Sequence, residues 1–396
     1  MSDTCNIALL GQKFMGRAHS NAYLKAGRFF NLPKKPVMHT IVGLDLIALA
    51  PFADRWGWKK YSTTWKDVVK DSEINLVDVS TPNYMHAEQA VAALGAGKHV
   101  ACEKPLAHTL KDARAMRNAA GRARKCKTFV WYNYRRCPAV ALAHRLVQEG
   151  RLGRIYHVRA SYLQGWGGPE TPLAWRFQKK YAGSGAHGDL NAHIIDMARF
   201  ITGDEVSEVT GAIAETFITE RPLPSRGKAR GGANRVARRT KDTGKSDVDD
   251  CVLFLARFKG GAVGSFEATR LATGHENNNN IEINGEQGSL RFGFEDMNVL
   301  WFYDNEDDAA TAGWRRIMCT SAGDHPYAGA WWPGGHIIGY EHTFVNMAAD
   351  IMAVLGGEEP IVPLPDFADA YETQRVLEAA TLAAKHRAAV KISEIK

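Results

Sequence analysis

A carboxylate and an imidazole with helical spacing are the first side chains in this sequence that could transfer a proton. Asp189 and His193 are four residues apart in the run Ser184-Gly-Ala-His-Gly-Asp-Leu-Asn-Ala-His193, so on a helix they share one face. Such a pair can bind a hydroxylated substrate and accept its proton, or it can be an ordinary surface ion pair. Asp196 follows three residues later, but no third ligand completes a metal site. The sequence therefore predicts no metal.

Lys104 is the second candidate for proton chemistry. It lies in the run Cys102-Glu-Lys-Pro105, directly after a short apolar stretch with the pattern of a buried strand. Partial burial at the end of such a strand disfavours an ammonium ion, which makes proton exchange by a lysine amine possible. The alternative, a solvent-exposed lysine at the end of a strand, is equally compatible with this stretch.

A glycine-spaced turn near the start of the chain is typical of a dinucleotide site. The run Gly11-Gln-Lys-Phe-Met-Gly16 follows the first predicted strand. In such turns the last glycine lets the helix begin close to the strand, and the helix amides face the phosphates. Lys13 replaces the middle glycine of the full pattern, and its ammonium lies either beside the pyrophosphate or in solvent. An ordinary joint between a strand and a helix remains the alternative.

The cofactor choice depends on Asp45, which ends the run Val42-Gly-Leu-Asp45 after the second predicted strand. A carboxylate there binds ribose hydroxyls and repels a 2′-phosphate, so it favours NAD, with NADP as the alternative. Ligands of open parallel sheets bind at the carboxyl ends of the strands, where further polar residues follow the third and fourth strands. The other predicted cofactor contacts are Gly11, Lys13, Phe14, Met15, Gly16, Ser80, Thr81, Pro82, Asn83, His86, Glu103 and Lys104.

Strand and helix patterns alternate up to about residue 130. The predicted strands are 7–10, 39–44, 74–80, 98–102 and 127–131, and predicted helices begin near Met15 and cover 84–96 and 110–122. Strands separated by helices indicate a doubly wound parallel α/β sheet of the Rossmann type. We therefore predict a dinucleotide-binding domain of residues 1–130.

After residue 130 the pattern changes to that of an α+β domain. A helix at 139–149, a strand at 154–164 and a helix at 188–200 precede a series of strands. The predicted strands of that series are 206–218, 251–258, 262–268, 281–284, 289–292 and 299–303, and a C-terminal helix covers 367–386. This order predicts a second domain, residues 131–396, with a large, mostly antiparallel open sheet.

The positive charge of the chain is concentrated in one segment. The 396 residues carry a net charge of +7, and residues 221–247 hold nine basic and two acidic side chains, so the remainder is balanced. The segment contains Gly, Pro and Ser without apolar periodicity, which predicts a solvated surface insertion that contacts a partner subunit or a polyanion. The neutral remainder contains no nucleic-acid-binding motif, so we predict no nucleic-acid partner.

Composition narrows the class of protein further. Hydrophobic residues form 45% and charged residues 23% of the chain, which is ordinary for a globular protein. No apolar run reaches the roughly 18 residues that span a bilayer, and the acidic start does not resemble a signal peptide. The six cysteines never occur as Cys-x-x-Cys, so neither a zinc knuckle nor a disulfide framework is indicated. The sequence predicts a cytoplasmic protein without a membrane partner.

Five motifs together resemble the glucose–fructose oxidoreductase / inositol dehydrogenase / MocA family. They are Gly11 to His19 with the pattern G-x-x-x-x-G-x-x-H, Thr81-Pro-Asn-x-x-His86, Glu103-Lys-Pro105, Asp189-x-x-x-His193 and the hairpin run Ile281 to Leu290. The resemblance covers essentially the whole chain and is greatest to members that act on anhydrosugars and glucosides. Two positions differ from the family pattern: Lys13 replaces a glycine, and Gly43 lies where many members carry the ribose-binding acid.

The resemblance implies oxidation of a secondary hydroxyl of a sugar, anhydrosugar or glycoside, including C3 of a glucoside, with NAD or NADP. It assigns the catalytic lysine to Lys104, the substrate-binding carboxylate to Asp189 and the general acid/base to His193. It also implies a homodimer or homotetramer formed through the C-terminal sheet. The alternatives are an inositol dehydrogenase, a redox-neutral glycosidase or isomerase that recycles NAD, and a non-catalytic dinucleotide sensor.

Aromatic side chains of the second predicted domain could form a stacking surface for a sugar, although each is also a candidate for the core. Trp175 is the strongest candidate because it shortly precedes the predicted helix of Asp189 and His193. The predicted substrate contacts are Tyr134, Arg136, Gln164, Trp175, Asp189 and His193, and the wider aromatic set adds Tyr162, Trp166, Trp331 and Trp332.

Overall fold

The structure, a computed structural model, describes residues 3–224 and 242–396. They form two compact units, one of Met1–Leu142 with Met318–Glu372 and the other of Ala143–Ile317 with Thr373–Lys396. Residues 318–372, which we assigned to the second domain, thus group with the first unit. The boundary at residue 130 stays a prediction from the sequence pattern.

The first unit contains a six-stranded parallel sheet, which confirms the predicted Rossmann sheet. Its strands are β1 (Thr4–Leu10), β2 (Lys35–Val42), β3 (Lys60–Ser62), β4 (Leu76–Val79), β5 (His99–Cys102) and β6 (Thr128–Val130). The strand order is β3-β2-β1-β4-β5-β6, so the direction of winding reverses between β1 and β4. Ligands of such sheets bind at this switch point, outside the carboxyl ends of the strands.

Helices pack against the strands of that sheet and also accompany the strands of the second unit. In chain order they are α1 (Phe14–Phe29), α2 (Leu46–Trp56), α3 (Trp65–Val68), α4 (His86–Gly95), α5 (Leu110–Arg122), α6 (Pro138–Gln148), α7 (Lys179–Ala182), α8 (Ala192–Thr202), α9 (Tyr340–Gly356) and α10 (Phe367–His386). The helix α9, which the sequence analysis did not predict, packs against α1 in the first unit. Its Phe344, Met347 and Ile351 share one buried core with Ile7 and Leu9 of β1.

The second unit contains a nine-stranded sheet, which confirms the predicted large, mostly antiparallel sheet. The strands of this unit are β7 (Ile155–Leu163), β8 (Val206–Glu215), β9 (Glu220–Pro222), β10 (Thr243–Lys245), β11 (Cys251–Phe258), β12 (Val263–Thr269), β13 (Asn278–Gly285), β14 (Gly288–Gly293), β15 (Val299–Asp304), β16 (Arg315–Met318) and β17 (Val390–Lys391). The order of the large sheet is β16-β15-β14-β13-β7-β12-β11-β8-β17, and β7 and β12 are parallel neighbours. The strands β9 and β10 form a separate antiparallel pair.

The nine-stranded sheet has one covered and one open face. Helix α8 packs on the covered face against β7 and β13. Along β11, Phe254 and Ala256 are buried on that face, whereas the alternate residues Leu253 and Leu255 are exposed on the other. This alternation is the expected result of the two-residue repeat of a strand. The exposed face of the sheet is therefore partly apolar.

Most of the basic segment 221–247 lies outside the described residues. Its described part includes Arg221, which differs from the predicted solvated surface. The Arg221 side chain is fully buried, its Nη2 lies 3.2 Å from Asp250 Oδ1, and its guanidinium lies 3.7 Å from the ring centroid of Phe177. Burial lowers the pKa of Arg221 to about 10. This arginine is a structural cation of the second unit.

Within residues 3–224 and 242–396, every helix is too short or too polar to cross a lipid bilayer.

Candidate active site

The turn between β1 and α1 has the close packing that a dinucleotide site requires. Gly11 has φ +123°, and a Cβ at this position would lie 2.7 Å from the carbonyl oxygen of Ser80. A Cβ on Gly16 would lie 2.2 Å from the carbonyl oxygen of Gly11. Both positions therefore accept glycine alone, since any side chain would displace the backbone. The tight turn places the start of α1 directly at the switch point of the sheet.

The N-terminus of α1 can accept an anion. Its N-cap residue Lys13 makes no side-chain hydrogen bond to the first-turn amides, and the first turn holds no acidic residue. Free amides and the positive end of the helix dipole favour phosphate at such a position. Lys13 and Phe14 are exposed here, and the Phe14 ring stacks on Tyr340 at a centroid distance of 6.4 Å. These features fit the pyrophosphate of a dinucleotide.

The carboxyl ends of β4 and β5 are joined by His86. His86 Nε2 lies 2.9 Å from the carbonyl oxygen of Thr81, and Nδ1 lies 3.1 Å from that of Pro105. Burial lowers the pKa of His86, so the ring is neutral near pH 7 and donates from one nitrogen at a time. Ser80 Oγ donates to the carbonyl oxygen of Leu10 at 3.0 Å. These hydrogen bonds hold Ser80, Thr81 and His86, three of the predicted cofactor contacts, beside the glycine turn.

Asp45 has a structural role that the sequence analysis did not anticipate. Its Oδ1 caps α2 by accepting from the amides of Ile47 and Ala48 at 3.1 and 3.2 Å. Beside it, a Cβ on Gly43 would lie 1.5 Å from Gln12 Oε1, so the Gln12 amide occupies the space that a side chain at residue 43 would need. Gln12 Oε1 is buried and accepts no hydrogen bond from the described residues. This leaves an acceptor suited to a hydroxyl group.

A buried polar cluster lies beneath the same edge of the sheet. His19 is fully buried, and its Nδ1 and Nε2 lie 2.9 Å from Asp78 Oδ2 and Glu103 Oε1, respectively. Tyr23 Oη and Trp131 Nε1 donate to Asp78 at 2.7 and 3.0 Å. Burial lowers the pKa of His19, but the two carboxylates outweigh burial and raise it to about 9. His19 is therefore an imidazolium at neutral pH.

The charge on His19 predicts a pH-dependent stability. The pKa of His19 is higher in the folded chain than the ordinary value near 6.5, so its contribution to stability is complete below about pH 6.5 and is lost as pH rises through about 9. The full contribution is roughly 3 kcal/mol. We expect the free energy of unfolding of the wild type to fall between these pH values by more than that of His19→Gln, because the variant has no imidazolium to lose its proton. Urea denaturation at several pH values measures the difference, and parallel pH curves for both proteins would contradict it.

In the second unit, a tightly packed loop positions Asp189. A Cβ on Gly185 would lie 1.8 Å from the carbonyl oxygen of Asp249, so only glycine fits. The Asp249 carboxylate accepts from the amides of Gly185 and His187 at 2.8 and 2.7 Å. Residues His187–Asn191 then form a π-helix that continues into α8. π-Helical turns widen a helix locally and are common at functional sites.

Arg270 supports the carboxylate of Asp189. Its Nη1 lies 3.7 Å from Asp189 Oδ2, and its guanidinium lies 5.3 and 4.9 Å from the ring centroids of Trp166 and Phe177. Arg270 is almost fully buried, whereas 28% of the Asp189 side chain is exposed. Burial lowers the pKa of Arg270, and Asp189 opposes that shift. The partly exposed carboxylate is thus the accessible member of a buried charge cluster.

His193, at the start of α8, lies near a chain of polar side chains. Its ring centroid is 5.8 Å from that of Tyr162, whose hydroxyl donates to Asn277 Oδ1 at 2.6 Å. Gln164 Nε2 donates to the same oxygen at 2.8 Å, and Trp166 Nε1 donates to Gln164 Oε1 at 2.5 Å. Within the second unit, the structure therefore places the predicted contact Gln164 in one network with Tyr162 and Trp166.

The structure assigns different surroundings to the remaining predicted substrate contacts. Arg136 is fully buried in the first unit; its Nε lies 3.2 Å from Asp350 Oδ2, and its Nη2 donates to the carbonyl oxygens of Val362 and Pro363. Its role is therefore structural, and we do not retain it as a substrate contact. Tyr134 is buried in the first unit as well. Trp175 is partly buried in the second unit, with the Arg176 guanidinium 4.4 Å from its ring centroid.

Comparisons with known proteins agree with this geometry. Residues 5–132 match the model of an oxidoreductase family with an NAD-binding Rossmann fold, and residues 140–291 match the GFO/IDH/MocA C-terminal domain. A levoglucosan dehydrogenase of Pseudarthrobacter phenanthrenivorans is 41% identical over 98% of this chain and 98% of its own length. This chain belongs to the GFO/IDH/MocA family. It is therefore an oxidoreductase, as the sequence predicted.

Two solved structures match this chain over almost its full length. An oxidoreductase domain protein from Kribbella flavida is 47% identical, covers 98% of this chain and 99% of its own, and has a TM-score of 0.91. A levoglucosan dehydrogenase in complex with NADH and levoglucosan is 39% identical with the same coverage and a TM-score of 0.89. The resemblance identified from sequence motifs is thereby confirmed.

Three polar side chains near the predicted site of this GFO/IDH/MocA protein were not assigned a role from the sequence. His19 lies in a motif that supported the family resemblance, Asp78 lies within a predicted strand, and Arg270 shortly follows the predicted strand 262–268. For Asp78 and Arg270 the available signal was a charged residue inside an apolar strand or one residue beyond it, whereas His19 lies in helix α1. Such residues are rarely buried unless paired, but a single sequence does not show which distant residue is the partner.

Proposed function

We propose that this protein is an NAD-dependent dehydrogenase that oxidises a secondary hydroxyl of a sugar, anhydrosugar or glycoside. The observation that carries the proposal is the match to levoglucosan dehydrogenase at 41% identity over 98% of the chain. The described residues add a dinucleotide turn in the first unit and the Asp189 cluster in the second. Levoglucosan is a 1,6-anhydrosugar, so anhydrosugars and glucosides are the first substrates to test.

The proposed reaction removes a hydride and a proton from the substrate. When bound, NAD would supply the nicotinamide that accepts the hydride as the carbinol C–H bond breaks. The hydroxyl proton goes to His193, and the carbinol becomes a ketone. Lys104 donates a hydrogen bond to the reacting oxygen and stabilises its developing negative charge. Asp189, supported by Arg270, binds a neighbouring hydroxyl of the substrate.

The residues of the first unit support NAD as the cofactor. The uncapped amides of α1 and the glycine turn fit a pyrophosphate, and the buried Gln12 Oε1 and the Asp45 carboxylate provide acceptors for ribose hydroxyls. Asp45 Oδ1 accepts two amides of α2, and a carboxylate has a second oxygen for a ligand. A 2′-phosphate beside this carboxylate would be repelled, so we propose a preference for NAD over NADP.

Asp45→Asn tests the cofactor preference. Asparagine is as good an N-cap as aspartate, so α2 should stay intact while the negative charge is removed. We expect the ratio of kcat/KM with NAD to that with NADP to fall by about tenfold, equivalent to about 1.4 kcal/mol. Asp67→Asn, at an exposed position of helix α3, is the matched control. An unchanged ratio in Asp45→Asn would show that Asp45 serves only as the helix cap.

A spectrophotometric assay tests the proposed function. The purified protein is mixed with NAD or NADP and a panel of glucosides, anhydrosugars, inositols and free sugars, and absorbance at the NADH band is followed. Stoichiometric NADH formation with an anhydrosugar or glucoside is the expected result. Product formation without a change in absorbance would instead indicate a redox-neutral enzyme that recycles its bound cofactor, and turnover of inositols alone would indicate a cyclitol dehydrogenase.

We propose that the open face of the nine-stranded sheet forms the contact of a homodimer or homotetramer. The face exposes Ile213, Leu253, Leu255 and Val263, with exposed fractions from 38% to 59%. Contiguous exposed apolar side chains of this kind are typical of interfaces between subunits. Light scattering coupled to size exclusion should give the mass of two or four chains, and a monomer at micromolar concentration would contradict the proposal.

We also propose that the protein acts in the cytoplasm. All six cysteines are free thiols, and four of them are buried. Free thiols are typical of reducing compartments. Detection of the protein in the soluble cytoplasmic fraction of its host cell tests this proposal.

A further inference from the structure

The buried cluster around His19 extends to the backbone of the proposed catalytic lysine. Glu103 Oε1 lies 2.9 Å from His19 Nε2, and Glu103 Oε2 accepts the amide N–H of Lys104 at 3.1 Å. The amide of Glu103 donates in turn to the carbonyl oxygen of Val79 on the neighbouring strand. One carboxylate thus connects a buried imidazole to the residue whose amine is proposed to act on the substrate.

The donor and acceptor count requires an ion at His19. Ionised carboxylates only accept hydrogen bonds, so contact with two of them uses both ring nitrogens as donors. The groups that face the ring come from several elements: Asp78 from β4, Glu103 after β5, Trp131 after β6 at 4.1 Å between centroids, and Phe344 from α9 at 5.7 Å. The His19 ring thus packs against two neighbouring aromatic rings, and each of its nitrogens faces a carboxylate.

This cluster exceeds what a stable core needs. Asp78 already accepts from Tyr23 and Trp131, so its two oxygens have neutral donors without His19. A buried ion pair is often no more stabilising than apolar residues of the same volume, because desolvation offsets the attraction. Within this cluster, His19 contributes the contact with Glu103. We therefore expect a substitution of His19 to affect Lys104, whose amide Glu103 accepts.

We propose that His19 is a positioning residue for Lys104, acting through the carboxylate of Glu103. The imidazolium fixes Glu103, and Glu103 fixes the backbone at the end of β5, so that the lysine amine is presented in one orientation. This inference depends on the proposed catalytic role of Lys104. Displacement of a reacting group by about 1 Å can cost about 10²-fold in rate, which makes the role measurable.

The test uses a single and a double substitution. In His19→Gln, the amide nitrogen can take the place of only one of the two ring nitrogens, so beside Asp78 it leaves Glu103 buried without its donor. We expect kcat to fall by about 10- to 100-fold with the KM for NAD little changed. In His19→Gln with Glu103→Gln, the chain of hydrogen bonds can be rebuilt. The introduced amide at position 19 then donates to Asp78 and accepts from the introduced amide at position 103, whose oxygen still accepts the Lys104 amide. The net charge of the cluster is also restored.

We therefore expect the double variant to regain at least about half of the decrease in log kcat that His19→Gln causes. A role limited to filling the core predicts the opposite, because a second buried substitution would lower activity and stability further. His39→Gln is the matched control, since His39 is also a buried histidine of the first unit, at a carboxylate 3.2 Å away, but has no contact with Glu103. It should retain wild-type kcat.

Wild-type kcat in His19→Gln, or no recovery in the double variant, overturns the positioning role. If His19→Gln does not fold, the kcat of Glu103→Gln is compared with the kcat of the double variant. A kcat of the double variant that is more than about threefold below that of Glu103→Gln overturns the positioning role as well, and so does a double variant that does not fold. If Lys104→Ala retains full activity, the proposed function of Lys104 fails instead, independently of His19.

Discussion

Lys104→Ala is expected to lower kcat by at least about 10²-fold, and by as much as about 10⁴-fold, while NADH binding stays near wild type. The amine is proposed to stabilise negative charge that develops on the reacting oxygen, and this charge is greatest in the transition state. Its loss therefore lowers kcat more than it raises KM. The backbone at residue 104 is held by Glu103 through its amide, which alanine retains.

Steady-state kinetics with a saturating sugar, together with NADH titration by fluorescence, measures both quantities for Lys104→Ala. Lys111→Ala is the control, because Lys111 is an exposed lysine on the next helix, α5. The control should show wild-type kcat. Normal turnover in Lys104→Ala would remove this lysine from the mechanism, and equal losses in both variants would indicate a general effect of charge.

His193→Ala is expected to show the second largest loss, about 10²- to 10⁴-fold in kcat near pH 7, because the hydroxyl proton loses its acceptor. The loss should become smaller as pH rises, since hydroxide can then accept the proton in place of the imidazole. The KM for NAD should be little changed, because the NAD-binding family model matches residues 5–132 and His193 lies outside them. A pH profile of kcat from about pH 6 to about pH 10 measures the effect.

His144→Gln is the control for His193→Ala. His144 lies in α6 of the second unit and bonds to the carbonyl oxygen of Phe200 at 2.7 Å, so its substitution perturbs the same unit near α8 without touching the proposed acceptor. It should lower stability slightly and leave the pH profile unchanged. A His193→Ala variant whose kcat falls by the same factor at every pH would contradict the role of proton acceptor.

The sequence predicted helices and strands best where buried apolar side chains recur at a regular spacing. The strand at 251–258 and the helix at 367–386 have the predicted bounds, because each has a clear two-residue or helical repeat of apolar side chains. The short strand β3 was not predicted, since three partly exposed residues carry too little periodicity. The helix α9 was also missed, although much of it is buried.

The active-site region shows where local reasoning is insufficient. The predicted helix at 188–200 begins instead as a π-helix at His187–Asn191, because Asp249, some sixty residues later in the chain, binds the amides of the preceding loop. Arg136 was expected near substrate, but Asp350 and two carbonyl groups bury it. In both cases the deciding partner is distant in sequence.

The sequence by itself determined the class of fold, the family and the location of the lysine, carboxylate and imidazole with which chemistry is proposed, because hydrophobic period and short motifs are local properties. Tertiary structure alone decided which charged groups are paired: the buried His19 with Asp78 and Glu103, and the buried Arg270 with the partly exposed Asp189. The physical reason is that a charge is stable in an interior only beside its partner. That partner is supplied by folding and can lie anywhere in the chain.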